Sequence, residues 1–243
     1  MRSFKYTSVV PETSINLGDS VELSLAVDDL PGAESLLQDL GFQESRTLDL
    51  PYPATAYTDG SIKFALHQAQ FPSPTLTFFG VKIDQVEAHL NAHGHTVQEL
   101  QRENGQATAI SCRAPGNLRL VLASAYPTNQ TFTDTPSRCG TFVEFALPVD
   151  DIDEALEFWS NVSFHQLSGN TDPYRHAQLS DGQITLGLHE TSDLERPACI
   201  FRTNELDAVA AELRASGTEI LERSKERAAA LLPSHLLLIL ATS

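Results

Sequence analysis

The chain has 243 residues, of which 41% are hydrophobic, enough for two domains of ordinary size or one large one. Its 16 basic and 32 acidic residues give a net charge of −16, which argues against nucleic acid as a partner. Three widely spaced cysteines form neither a disulfide framework nor a thiolate zinc motif. No signal peptide and no segment long enough to span a bilayer is readable. We therefore expect a cytoplasmic protein without a membrane partner.

Along the chain, residues 1–18 show no clear period and are predicted to form an N-terminal arm. In residues 21–42, apolar side chains first alternate with polar ones, which predicts a strand, and then recur with the period of a helix. The same stretch returns at residues 143–164, 122 positions later, with 8 of 22 residues identical. The chain therefore contains two copies of one structural unit.

Each copy has a pair of acidic residues where its helix is predicted to begin, Asp28-Asp29 and Asp150-Asp151. Glu154 follows Asp151 by three residues, which is the spacing of a capping box. We interpret the acidic pairs as helix N-termini rather than as metal ligands, because an N-cap carboxylate binds free backbone N–H groups.

Three short strands are predicted after each of these helices, and a looser version of the whole unit then follows each copy. A stretch rich in Thr, Pro and Ser separates the two halves and is predicted to be a linker. The predicted organisation is an arm (1–18), a first pair of units (19–124), a linker (125–139) and a second pair of units (140–243).

Three local patterns accompany this organisation. Val-Asp-Asp-Leu or Val-Asp-Asp-Ile precedes each strong helix at residues 27–30 and 149–152, and Leu-His ends a later strand at 66–67 and 188–189. Arg-Ala-Pro-Gly-Asn at 113–117 precedes a closing strand. With the paired units, these patterns resemble the vicinal oxygen chelate superfamily of glyoxalases, bleomycin- and fosfomycin-resistance proteins and extradiol dioxygenases. The resemblance implies an α+β fold of four βαβββ modules, paired into two cup-shaped half-barrel domains.

The resemblance also implies where a metal would bind. Catalytic members hold a divalent metal through His, Gln or Glu near the start of a first strand and Glu in a closing strand. The first-strand position falls on Glu22 and Glu144, but the closing-strand position falls on Leu120 or Arg119, and on leucine in the last unit. Because a metal usually needs three or four ligands, we predict no metal site and no cofactor, with Glu22 and Glu144 as weak candidates only.

The histidines do not complete this set at the level of sequence. His67 and His189 recur at equivalent positions, and we interpret both as structural. In the first copy, alternation along residues 62–67 places His67 on the face opposite the expected ligands, unless a bulge intervenes. We assign no site to the other six histidines: His89, His93, His95, His165, His176 and His235.

The expected function is therefore that of a metal-free, glyoxalase- or bleomycin-resistance-like protein that binds a small aromatic or cationic molecule in a cup. No catalytic residue is assigned, because no nucleophile or nucleotide motif appears. A monomer or homodimer is expected. Two alternatives stay open: a metal-dependent lyase or dioxygenase, and a scaffold with filled cups. The predicted ligand-binding residues are Glu22, Ser24, Tyr52, Phe79, Glu144 and Tyr174.

Overall fold

A computed structural model of the protein describes residues 15–48, 53–127 and 135–242. Most of the predicted arm (1–14), the middle of the predicted linker (128–134) and Tyr52 lie outside the described residues. Within them, the chain forms four successive modules, each a strand, a helix and three strands. No helix of the described chain is long and apolar enough to cross a membrane.

The two modules of the first half have helices of ten residues each. The elements of the first module are β1 (Ser20–Ala26), α1 (Leu30–Asp39), β2 (Gln43–Leu48), β3 (Ala54–Thr58) and β4 (Lys63–His67). Those of the second are β5 (Thr75–Phe79), α2 (Ile83–Ala92), β6 (Gln98–Glu103), β7 (Gln106–Ala114) and β8 (Leu118–Ala123).

The second half repeats this order. The elements of the third module are β9 (Thr141–Pro148), α3 (Ile152–Asn161), β10 (His165–Asn170), β11 (Arg175–Ser180) and β12 (Thr185–Glu190). Those of the fourth are β13 (Ala198–Thr203), α4 (Leu206–Ala215), β14 (Glu219–Arg223), β15 (Arg227–Leu231) and β16 (Leu237–Thr242).

Each half of the chain forms one eight-stranded mixed sheet. The strand orders are β2-β3-β4-β1-β5-β8-β7-β6 and β10-β11-β12-β9-β13-β16-β15-β14, so the two modules of a half meet at their first strands. β1 runs antiparallel to β5 and parallel to β4, and β9 has the same relation to β13 and β12. The predicted α+β fold of four βαβββ modules in two half-barrels is confirmed.

The alternation within the first strands decides which side chains reach the cups. In β1, Leu23 and Leu25 are buried in the core that also contains Leu36 and Leu37 of α1. Because successive side chains of a strand point to opposite faces, Glu22 and Ser24 lie on the other, concave face of the sheet.

The acidic pairs begin helices, as the sequence predicts. Asp151 accepts hydrogen bonds from the backbone N–H groups of Asp153 and Glu154, and Asp29 accepts one from Gly32. These carboxylates satisfy helix N-termini on the outer side of the sheets and are not available to a site in the cups.

Candidate metal centre

A cluster of three side chains lies on the concave face of the second sheet, here called the second cup. Glu144 of β9 projects from the middle of the sheet, and His176 of β11 and His189 of β12 converge on its carboxylate. Nε2 of His189 lies 2.7 Å from Oε1 of Glu144, and Nε2 of His176 lies 3.3 Å from Oε2. All three ligand atoms lie within 4.8 Å of one another.

Strand register brings these residues together. His176 is paired directly with His189 across β11 and β12. Gly187, two residues before His189, faces Glu144 so closely that a Cβ there would lie 2.3 Å from the carboxylate carbon. Since residues two apart on a strand share a face, His189 lies on the same side of the sheet as Glu144. Gly187 therefore leaves the space in which the carboxylate lies.

Two further polar side chains hold the cluster in place. The hydroxyl of Tyr174 lies 3.0 Å from Nδ1 of His189, and Nε2 of Gln178 donates to Oε2 of Glu144 at 3.0 Å. Burial opposes ionisation of Glu144, but hydrogen bonds from His176 and His189 and their attraction outweigh it and lower its pKa to about 2. Glu144 is therefore a carboxylate at neutral pH.

The prediction that His67 lies on the strand face opposite the expected ligands is wrong. The predicted alternation is present, but Phe64 and Leu66 of β4 are the residues on the core side. His67 therefore shares the face of Glu22, and the equivalent His189 shares the face of Glu144. His176 was missed altogether, because only the pairing of β11 with β12 places it beside His189.

The concave face of the first sheet, here called the first cup, contains the equivalent glutamate, Glu22, with a different partner. Nη2 of Arg46, on β2, donates to Oε1 of Glu22 at 3.1 Å, and both side chains are 3% exposed. Under the 122-residue repeat, Ala54 occupies the position of His176 and is paired with His67 as His176 is with His189. An arginine cation therefore neutralises Glu22, and the Glu/His/His set is incomplete.

Electrostatics in the first cup differ accordingly. Burial raises the pKa of Glu22, against the opposing effect of the Arg46 guanidinium. Burial, assisted by repulsion from Arg46, lowers the pKa of His67 to about 4. His67 is thus neutral at physiological pH.

The remaining predicted site residues lie in the two cups as far as the structure describes them. Ser24 and Phe79 line a cavity of the first cup together with Glu22. Tyr174 contacts His189 in the second cup. Their role in ligand binding stays a prediction, and Tyr52 is outside the described residues.

The fourth module supplies none of the three ligands. Ile200 of β13 is paired with Glu144, and Ile239 of β16 is paired with Ile200. The closing-strand position at Leu237 or Leu238 is apolar, as the sequence indicates. All three members of the cluster belong to the third module, whereas the resemblance implies ligands shared between paired modules.

Comparison with solved structures extends over almost the whole chain. Catechol 2,3-dioxygenase is matched with a TM-score of 0.59 and 13% identity, over 95% of this chain and 88% of that one. A variant of homoprotocatechuate 2,3-dioxygenase from B. fuscum is matched at 0.63 and 15%, over 97% and 73%. The chain has the vicinal oxygen chelate fold. The 2,3-dioxygenase LapB from a Pseudomonas species agrees, at 0.58 and 12%, over 95% and 93%.

No family model and no curated protein matches the sequence. At these identities the likeness to dioxygenases establishes the vicinal oxygen chelate fold alone. It nevertheless bears on the prediction that no cofactor is bound. That prediction is contradicted by the dioxygenase-like fold together with the buried Glu144, His176 and His189 group, which could hold a metal.

Proposed function

We propose that the second cup binds a divalent metal ion through Glu144, His176 and His189, and that the protein is a metal-dependent dioxygenase acting on a small aromatic substrate. The cluster of these three side chains is the observation that carries the proposal. Two imidazoles and one carboxylate on one side of a metal, with the other positions open, are the ligand set of non-haem Fe(II) oxygenases. Structural neighbours described as 2,3-dioxygenases support the same class.

The donor set fits such an ion in chemistry and in space. Two donor atoms bonded to one ion at about 2.0–2.2 Å each lie at most about 4.4 Å apart. The distances from the Glu144 oxygens to the two histidine nitrogens, 2.7 and 3.3 Å, meet this limit, and all three donors lie within 4.8 Å of one another. Gly187 provides room behind the Glu144 carboxylate. When bound, the ion supplies Lewis acidity toward adjacent oxygens of a substrate such as a catechol.

Tyr174 would control the proton on His189. Nε2 of His189 faces the Glu144 carboxylate and Nδ1 faces the Tyr174 hydroxyl, so the tautomer with its proton on Nε2 donates to Glu144 and accepts from Tyr174. A bound metal would take the Nε2 lone pair, and the tautomer with its proton on Nδ1 would then donate to the same hydroxyl. Tyr174 thus pairs with either tautomer and keeps the ring oriented.

Apolar side chains beside the cluster would receive the body of the substrate. Ala146, Ala198, Ala229, Ile239 and Leu194 form a hydrophobic cluster next to the polar half of the cup. These side chains exclude water and carry no charge, which suits an aromatic ring better than a sugar or a phosphate.

Metal titration of chelator-treated protein tests the proposal. We expect one Fe(II) ion per chain under anaerobic conditions, measured by calorimetry and elemental analysis, and a loss of at least about 100-fold in affinity for His176→Ala. His165→Ala is the matched control, because His165 is an exposed histidine in the same module. Failure of the wild type to bind one ion, or equal affinity of both variants, would overturn the metal site.

Oxygen consumption by the Fe(II)-loaded protein with a panel of catechols tests the reaction separately. We expect uptake of one O₂ per substrate with at least one catechol, abolished by His176→Ala. Stoichiometric metal binding without oxygen uptake would leave the metal site standing and reject the dioxygenase.

A further inference from the structure

The first cup contains a cavity that the proposed metal chemistry does not use. Its volume is about 520 Å³, within the range of about 300–1,000 Å³ that is usual for small-molecule sites. The floor is formed by β1, β5 and β8, and the apolar part of the lining includes Phe71, Phe79 and Val121. The cavity therefore combines apolar surface with polar groups.

One row of residues on the floor differs from its counterpart in the second cup at all three positions. Ser24 is paired with Thr75, and Thr75 with Arg119, across three adjacent strands. The equivalent row of the second cup is Ala146, Ala198 and Leu237. Three polar side chains on the same framework thus correspond to three apolar ones, so the polar row is a property of the first cup and not of the fold.

Arg119 is the distinctive member of this row. It is half-buried, its Nη2 donates to the Ser111 hydroxyl at 3.2 Å, and within the described ranges it forms no ion pair with an acidic side chain. Among the described residues that line this cavity, Glu22 is the one acidic side chain, and Arg46 already neutralises it. The described part of the lining therefore carries one excess positive charge, in a chain of net charge −16.

Hydroxyl groups add further donors on the floor. Ser24 and Thr77 share a hydrogen bond of 2.8 Å between their hydroxyl oxygens, which leaves one hydroxyl proton of the pair for another acceptor. Arginine binds carboxylates through two parallel hydrogen bonds, and its desolvation in a half-buried site strengthens them. A cation in this cavity would instead face two arginines.

We propose that the first cup binds a small organic monoanion, a carboxylate with an aromatic or other apolar body, with Arg119 as its anchor. The carboxylate pairs with the Arg119 guanidinium, and the apolar body lies along Phe79, Val121 and Phe71. This site is separate from the metal centre and does not depend on it. It keeps the aromatic ligand expected from sequence and reverses the expected sign of its charge.

Three probes of nearly equal shape and different charge test the proposal: benzoate, benzamide and benzamidine. They are titrated into chelator-treated wild-type protein, so that no metal in the second cup can take up the carboxylate, and binding is followed by two-dimensional NMR. We expect benzoate to bind at least about tenfold more tightly than either of the others, with shifts confined to β1, β5 and β8. Equal or tighter binding of benzamidine, or shifts confined to the second cup, would overturn the proposal.

Arg119→Leu introduces the residue of the second cup and should weaken benzoate by at least about tenfold without weakening benzamide. Arg113→Leu is the control, since Arg113 is an exposed arginine on the adjacent strand β7 and does not line this cavity. Equal benzoate affinities of the two variants would reject Arg119 as the anchor. If Arg119→Leu does not fold, as judged by circular dichroism, the three probes on the wild type still decide the matter.

Discussion

The two cups show how one framework supports different chemistry through a few substitutions. Both place a buried glutamate at the same point of the first strand and a histidine at the end of the fourth, Glu22 with His67 and Glu144 with His189. In the first cup, Arg46 is the partner of Glu22, and Ala54 replaces the second histidine. In the second, His176 and His189 both face Glu144.

This difference teaches that a buried carboxylate is compensated in one of two ways. In the first cup the compensating cation is the guanidinium of Arg46, which is part of the chain, so Glu22 is neutralised without a bound ligand. In the second cup the compensation is a pair of imidazoles, which can exchange their protons for a metal ion. The neighbouring row of residues differs in the same sense. It is polar and cationic in the first cup (Ser24, Thr75, Arg119) and apolar in the second (Ala146, Ala198, Leu237).

The largest expected effect comes from removing the fixed cation. Arg46→Ala leaves Glu22 buried without its partner, and Oε2 of Glu22 already has no hydrogen-bond partner among the described residues. We expect a loss of about 3–5 kcal/mol in the free energy of unfolding, measured by urea denaturation. Arg175→Ala, which breaks exposed ion pairs with Asp153 and Glu190, should cost at most about 1 kcal/mol.

A sharper form of this test rebuilds the ligand set of the second cup in the first. Arg46→Ser with Ala54→His combines Glu22, His67 and a new histidine at the positions of Glu144, His189 and His176. Added Zn²⁺ should raise the unfolding midpoint of this double variant more than that of Arg46→Ser alone. Equal shifts would show that the two cups differ in more than these side chains.

A smaller effect is expected from pH, through His67. Its pKa is lowered to about 4 in the folded protein, so the unfolded chain, with a pKa near 6.5, binds more protons between these values. The stability from neutral His67 is therefore complete above about pH 6.5 and is lost as the pH falls toward 4, by up to about 3 kcal/mol. His67→Gln should flatten the pH dependence of stability in this window.

His165→Gln, a change at an exposed histidine of the second domain, serves as the control. It should leave the slope between pH 6.5 and 4 unchanged. A slope equal in wild type and His67→Gln would contradict the assignment and place the acid sensitivity elsewhere.

The smallest predicted effect is on metal affinity through Tyr174. Tyr174→Phe removes the group that pairs with Nδ1 of His189, and changes of this kind lower metal affinity by about 10–100-fold. Calorimetric titration with Mn²⁺ and Zn²⁺ measures it. Tyr57→Phe also removes one tyrosine hydrogen bond, which the Tyr57 hydroxyl accepts from Gln38 in the first half of the chain, and should leave metal affinity unchanged.

The fold could be read from the sequence because it depends on local patterns that occur twice. Alternation in residues 21–27, helical periodicity in the following residues and the Asp29 and Asp151 caps are each local in the chain. The 122-residue repeat then relates one module to another without knowledge of any contact. The positions of Glu22 and Glu144 in the cups followed from the same alternation.

The partners of these glutamates could not be read in the same way. His176 lies 32 residues from Glu144 along the chain, and Arg46 lies 24 residues from Glu22. Only the lateral order of the sheet, β11 beside β12 and β12 beside β9, brings the two histidines to one carboxylate. The 122-residue repeat aligns His176 with Ala54, but a single histidine in a sequence does not predict a metal site until the residue beside it on the neighbouring strand is known.

By itself, the sequence determined the modules, their pairing and the glutamate at the centre of each cup, because these depend on periodicity and duplication along the chain. Tertiary structure alone decided what each glutamate meets: Arg46 in the first cup, two histidines in the second. The physical reason is that side-chain direction is a property of a single strand, whereas the neighbours of a side chain depend on the register between strands that are distant in sequence.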